Sequence, residues 1–207
     1  GGFSGPEWFL SFLLKALEAY RPLLEGDGDG DAGGVDRLAY LAYFARGLAL
    51  LARRRLRAQL GPAASDGSLL SHTVEEALAF DRHLDREAGY AECPTRFPGK
   101  SWPRCVEVFA QDDERFRQWM ESDAAAARAK LAQAAAAPGA WRAVGWKNGP
   151  RSSTPTTHSA VALCSIFSDL TDRYRPLRDP SRQLRFARSA QAPILRSVSE
   201  RVSFVSA

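Results

Sequence analysis

The sequence predicts an all-α fold, an elongated antiparallel helical bundle, and three observations carry that expectation. Apolar residues recur every three to four positions in six separate stretches. Glycine and proline gather mainly in the connections. No alternating apolar–polar run and no hairpin signal breaks the pattern, so long stripes joined by short to medium loops fit an up-and-down bundle.

The first helix is expected over 6–24, with Phe9, Phe12 or Leu13, Ala16 or Leu17, Tyr20 and Leu24 on its apolar side. An acidic Gly/Asp loop follows, and a second helix over 36–60 places Leu38, Leu41, Phe44, Leu48, Leu51 and Leu56 on one broad stripe until Gly61-Pro62 stops it. The third, over 66–88, repeats Leu70, Val74, Ala77, Leu78 and Leu84. Residues 89–100 carry too many breakers for a helix and read as a linker. A short helix is expected over 102–110. Asp112 or Asp113 then caps a long one that Pro138-Gly139 ends.

Residues 138–157 read as a second loop. The fifth helix is expected over 157–175, with Val161, Cys164, Phe167, Leu170 or Thr171 and Tyr174 inward. A proline-bounded corner between Pro176 and Pro180 turns the chain into a sixth helix over 180–204. Asp179 is placed to cap that helix, Pro180 takes its first position, and Pro193 sits inside it. The organisation expected is an N-terminal helical part, 1–88, the linker 89–100, and a C-terminal helical part, 101–207. The core is expected to draw on Phe12, Leu48, Phe80, Trp119, Phe167 and Tyr174.

Charge and composition exclude more than they assign. The net charge of +4 is spread out: 1–36 and 61–92 are net acidic, 37–60 and 151–207 net basic, as solvated helix faces usually are. Three cysteines, Cys93, Cys105 and Cys164, form no CxxC pair and no even framework, which favours a reducing cytosolic compartment. The apolar stretch Trp8–Leu14 is too short to span a bilayer and lacks a signal peptide's flanks. The sole methionine is Met120, and the chain reads as a piece of a longer polypeptide.

No catalytic, cofactor or metal site is expected. Asp27-x-Asp29-x-Asp31 copies the start of a calcium loop, but Ala32 and Leu38 stand where the glycine and the bidentate glutamate belong. His72 and His83, three helical turns apart, lie about 16 Å from each other along a helix, too far for one metal. Ser159, His158 and Asp169 could be drawn as a triad, but no strand-turn-helix elbow surrounds a serine. Arg53-Arg-Arg-Leu-Arg57 could face phosphates or an acidic membrane, and reads more simply as cations complementing a helix C-terminus. Trp102 and Trp119 read as core anchors, Trp141 and Trp146 as interface candidates.

Three stretches carry a family resemblance. Thr171-Asp-Arg-Tyr174, Leu177, Ser181-Arg182, Leu184 and Phe186 form one pattern, and Phe116, Trp119 and Leu131 belong to another. Leu69-Leu-Ser-His-Thr-Val-Glu-Glu-Ala-Leu-Ala-Phe-Asp-Arg-His-Leu84, followed by Gly89-Tyr90, is the third. In their order along the chain they resemble the vesicle-tether family containing the RINT and TIP proteins and the plant MAIGO protein, over about residues 69–203. Each is a packing pattern, so the signature residues are Phe116, Trp119, Leu131, Asp172, Arg173, Tyr174, Arg182, Leu184 and Phe186.

The resemblance implies a non-enzymatic segment of a helical-rod tether. Such rods belong to the Dsl-type complex at the endoplasmic reticulum (ER), which captures COPI vesicles returning from the Golgi. The partners implied are other tether subunits and ER SNAREs, with indirect membrane association and a cytoplasmic, ER-peripheral location. No small-molecule substrate, cofactor or nucleic acid is implied. The rival readings are a helical adaptor of an exocyst or Golgi tether, and an arginine-rich bundle binding nucleic acid or a membrane surface.

Overall fold

In α1 (Pro6–Glu25) the residues that go inside are Leu10, Leu13 and Leu17, one turn or so apart. They meet α2 (Gly34–Ala63), which buries Leu41, Ala45, Leu48, Ala52 and Leu56, and α3 (Gly67–Ala88), which buries Leu70, Val74, Ala77, Leu78 and Leu84. The computed structural model describes residues 6–25, 34–63, 67–143 and 156–205. Among these the chain is all-α; its only β feature is an isolated bridge between Ala143 and Thr157. The Asp27–Asp31 run and Trp146 lie outside the described residues, as does the side chain of Leu38.

The chain forms two compact units, 1–116 and 117–207. In the first, Tyr20 meets Phe44 at 5.6 Å, so α1 and α2 run antiparallel. Arg21 meets Glu87 at 2.7 Å, which sets the ends of α1 and α3 side by side. Gly89, at φ 58, closes α3 in the left-handed conformation that costs glycine least. Residues 89–100 pack into this unit: they form a 3₁₀ turn, Tyr90–Glu92, and α4 (Cys93–Arg96), and bury Tyr90 and Cys93. A helical turn survives the prolines because Pro94 sits within its first two positions, where no N–H is needed.

Several expectations are corrected here. Phe12 is 60% exposed, because α1 is apolar on most sides and Leu10, Leu13 and Leu17 take the core. Leu51 is also exposed. The helix expected over 102–110 is only α5 (Glu107–Ala110); Pro103 holds Trp102 out of helical geometry, although Trp102 is fully buried. Gly61-Pro62 does not stop α2 ahead of itself; the helix runs on to Ala63, one residue past the proline.

The second unit contains most of α6 (Asp113–Ala136), α7 (His158–Tyr174), α8 (Pro180–Phe186) and α9 (Ala192–Val205). Asp112 caps α6 by accepting from Arg115 N at 2.9 Å. Thr157 caps α7 and accepts from Ala160 N at 3.2 Å, while Ser159 N donates to Ala140 O. At the corner, Asp179 accepts from Ser181 N at 2.9 Å with Pro180 opening α8, as the sequence predicts. The expected sixth helix is divided by a π-helical turn, Ala187–Gln191, in which Ala192 N bonds Ala187 O. That turn shifts the ladder just before Pro193, which therefore falls near the start of α9, where its missing N–H does least harm. Val161 and Cys164 are exposed and Phe167 is half-buried, so α7 turns Ile166, Leu170 and Tyr174 inward.

Candidate functional site

Four of the signature residues converge in the second unit. The Tyr174 ring lies between Trp119, centroids 4.4 Å apart, and Phe186, 3.6 Å apart, with interplanar angles of 12° and 9°. All three rings are buried. A fourth group completes the cluster: Asp123, one turn after Trp119 on α6. Its Oδ2 accepts from Trp119 Nε1 at 2.8 Å, Arg173 Nε at 2.9 Å and the Tyr174 hydroxyl at 3.1 Å. Burial pushes the Asp123 carboxyl above the usual range, and the Arg173 charge with the three donors pulls it partly back. Burial, and then the Asp123 charge, push the Tyr174 phenol well above its ordinary value. The group is a locked tyrosine against a carboxylate oxygen that takes three donors, which fixes α7 on α6.

The other signature residues take separate places. Phe116 is fully buried, Leu131 half-buried, and Asp172 exposed, where it pairs with Arg175 at 2.9 Å. Arg182 approaches Asp179 at 3.9 Å. Leu184 is 50% exposed, whereas Tyr174, Leu177 and Phe186 of the same motif are buried; on the short α8, Phe186 takes the inward position. Gln183, unnoticed in the sequence, fastens the corner: its Nε2 donates to Leu177 O at 2.8 Å and to Arg175 O at 3.3 Å.

A second buried carboxylate organises the first unit. The two oxygens of Asp81 on α3 accept from Cys105 N at 2.9 Å and Val106 N at 3.0 Å, capping the turn that leads into α5. Burial raises its pKa to about 6, against the two backbone bonds and the Arg104 charge, which lower it. Arg104 makes a two-pronged pair with Asp85, at 2.8 and 3.0 Å. Arg53 is a correction to the basic run: it is buried and bonds Glu107 at 2.8 Å, because the helical period turns it to the side of Ala49, Ala52 and Leu56. Arg54, Arg55 and Arg57 stay outside.

Chemistry finds little footing in these clusters. Ser159 Oγ is engaged with the Ala140 carbonyl, and Asp169 lies three turns away along α7. Among the described residues no group of three His, Cys, Asp or Glu side chains could hold a metal ion. No helix among them is long and apolar enough to cross a membrane. His72 is exposed and His83 lies 3.9 Å from Glu18; Trp141 is exposed.

The sequence matches the RINT-1/TIP-1 family over residues 3–206, which spans both units and every signature residue. The chain belongs to the RINT-1/TIP-1 family. Membership puts it among scaffold subunits of tethering complexes in vesicle transport. The RINT-1/TIP-1 match reaches the first 68 residues, which the three motifs left without a relative. No solved structure matches the chain.

Proposed function

We propose that the chain is a non-enzymatic helical segment of an ER-associated tethering complex that captures vesicles on the retrograde route from Golgi to ER. The family match over 3–206 carries this reading. The way the buried polar groups are used supports it: Asp81, Arg104, Asp123, Arg173 and Tyr174 are all spent on holding helices. Other tether subunits and ER SNAREs are the partners proposed, with membrane association through them and a cytoplasmic, ER-peripheral location. The mechanism is mechanical: helices space weak binding sites, and linkage raises their joint strength through effective concentration.

The test is recovery of the chain's partners from cytosol and from ER membranes, identified by mass spectrometry. Tether subunits together with ER SNAREs and COPI components are expected. Exocyst or Golgi-tether subunits in their place would move the segment to another complex and overturn the ER assignment.

A further inference from the structure

The outward face of α2 carries large apolar residues. Its exposed residues include Tyr40, Tyr43, Gly47, Leu50, Arg54 and Arg57, which follow one another at intervals of three and four, the repeat of a coiled-coil seam. Leu51 and Arg55 flank that seam and are exposed too. Tyr40 is 62% exposed, Leu50 44% and Leu51 52%. The opposite side of α2 is the one buried against α1 and α3; on the outward side Tyr43 rests against Phe97 and Trp102, at 5.6 and 5.5 Å, while Tyr40, Leu50 and Leu51 keep an exposed apolar strip.

Charge decides what would cover it. From Tyr40 to Arg57 the helix carries no acidic residue. Arg54 and Arg55 have no ion pair among the described residues, and Arg57 reaches only the neutral amide of Gln111, at 3.0 Å. Most of the better-placed arginines of the same unit do have carboxylates: Arg21 with Glu87, Arg53 with Glu107, Arg104 with Asp85. We infer that this face of α2 docks an amphipathic helix of a partner protein, one whose apolar stripe ends in acidic residues set against Arg54 and Arg55. Leu50 and Leu51 supply the apolar contact. Gly47, with nothing within 4 Å of where a Cβ would stand, leaves a hole for a knob from the partner helix. The seam from Tyr40 to Arg57 runs about 26 Å, so a helix of three heptads covers it.

An anionic membrane is the competing occupant, and the layout of the face disfavours it. A helix lying on lipid carries cations along the flanks of its whole apolar stripe. Here aromatic and aliphatic residues fill the first half of the seam and its own cations the second; Arg46, beside the first half, is turned to the Ser101 carbonyl at 2.6 Å, and lipid has no use for a hole at Gly47. A second copy of the chain would set unpaired arginines into an interface that holds no acid.

The probe is a synthetic three-heptad peptide with Leu at the seam positions and Glu beside them; its control has Lys for every Glu. Both are titrated into the 207-residue chain and followed by fluorescence anisotropy. The acidic peptide is expected to bind at least tenfold more tightly than the basic one, and to weaken as salt rises. R54E/R55E should reverse that preference, and Leu50→Lys should weaken both peptides; circular dichroism confirms that each variant keeps its helicity. Charge reversal that left the preference unchanged would overturn the proposal. So would sedimentation showing that the chain dimerises through Leu50 and Arg54, or binding to phosphatidylserine vesicles with neither peptide bound. No vesicle or tether subunit enters the peptide titration, so its failure would leave the tethering assignment standing.

Discussion

Asp123 on α6 and Arg173 on α7, 50 residues apart in sequence, meet at 2.9 Å through Oδ2 and Nε. Both are largely withdrawn from water, at 6% and 19% side-chain exposure. Breaking a buried pair by deleting one member costs about 3–5 kcal/mol, because the other charge is left stranded. Asp123→Ala and Arg173→Ala should each destabilise on that scale in urea. The double mutant should lose less than the two losses added together. Additive losses would show that the pair does not act as a unit.

Tyr174 serves the cluster in two ways, and mutation separates them. Tyr174→Phe keeps the ring between Trp119 and Phe186 and removes only the bond to Asp123, a loss of about 1.5–3 kcal/mol for a charged acceptor. Trp119→Ala empties a fully buried site and should cost about 3–5 kcal/mol. A Trp119→Ala chain melting within a degree or two of the parent would remove Trp119 from the core.

In the first unit, Phe12 and Leu17 make a matched comparison on one helix. Leu17→Ala should cost about 2–5 kcal/mol, whereas Phe12→Ala should change stability by no more than about 0.5 kcal/mol. Equal losses in thermal unfolding would place Phe12 inside.

Asp81 gives a pH signature. Its folded-state pKa, raised to about 6 from an ordinary 3.8, means that the folded chain holds this proton after the unfolded chain has released it. The contribution is therefore fully present below about pH 4 and is lost as pH rises through about 6, an amount on the order of 3 kcal/mol. Other groups titrate in that window, so the quantity to measure is the difference between parent and Asp81→Asn, by urea unfolding at pH 4, 5, 6 and 7. The parent should lose stability relative to the variant across the interval; parallel profiles would refute the shift.

At the corner, Gln183 and Arg182 can be tested separately. Gln183→Ala leaves the Leu177 carbonyl without its 2.8 Å partner and should cost about 1–2 kcal/mol. Arg182 faces a half-exposed Asp179 at 3.9 Å, a pair worth about 0–1 kcal/mol. In the full-length protein, Arg182→Ala is expected to impair vesicle capture beyond its loss of folded fraction, as an aligning corner would require. Capture that merely tracks folding would reduce the corner to ordinary packing.

The sequence was most legible where chemistry is local. Asp179 with Pro180, and Asp112, act within a turn of themselves, through capping that needs no distant partner. The stripes of α2 and α3 were legible too, since Leu48, Val74 and Leu84 leave little choice of inward face. In α1 and α7 the apolar residues surround more of the helix, and spacing alone could not choose Leu13 over Phe12 or Ile166 over Val161. Asp123 carried a faint signal, lying four residues after Trp119 on a helix, but nothing in sequence joins it to Arg173.

By itself, then, the sequence determined the long helices, the principal caps, the corner and the three family motifs, because each is written in residues at most a few turns apart. Only the tertiary structure decided which charges are buried: Arg53 against Glu107, Asp81 under the turn at Cys105, Asp123 among three donors. The physical reason is that removing a charge from water is affordable only where a partner from elsewhere in the chain meets it, and that meeting is a property of packing.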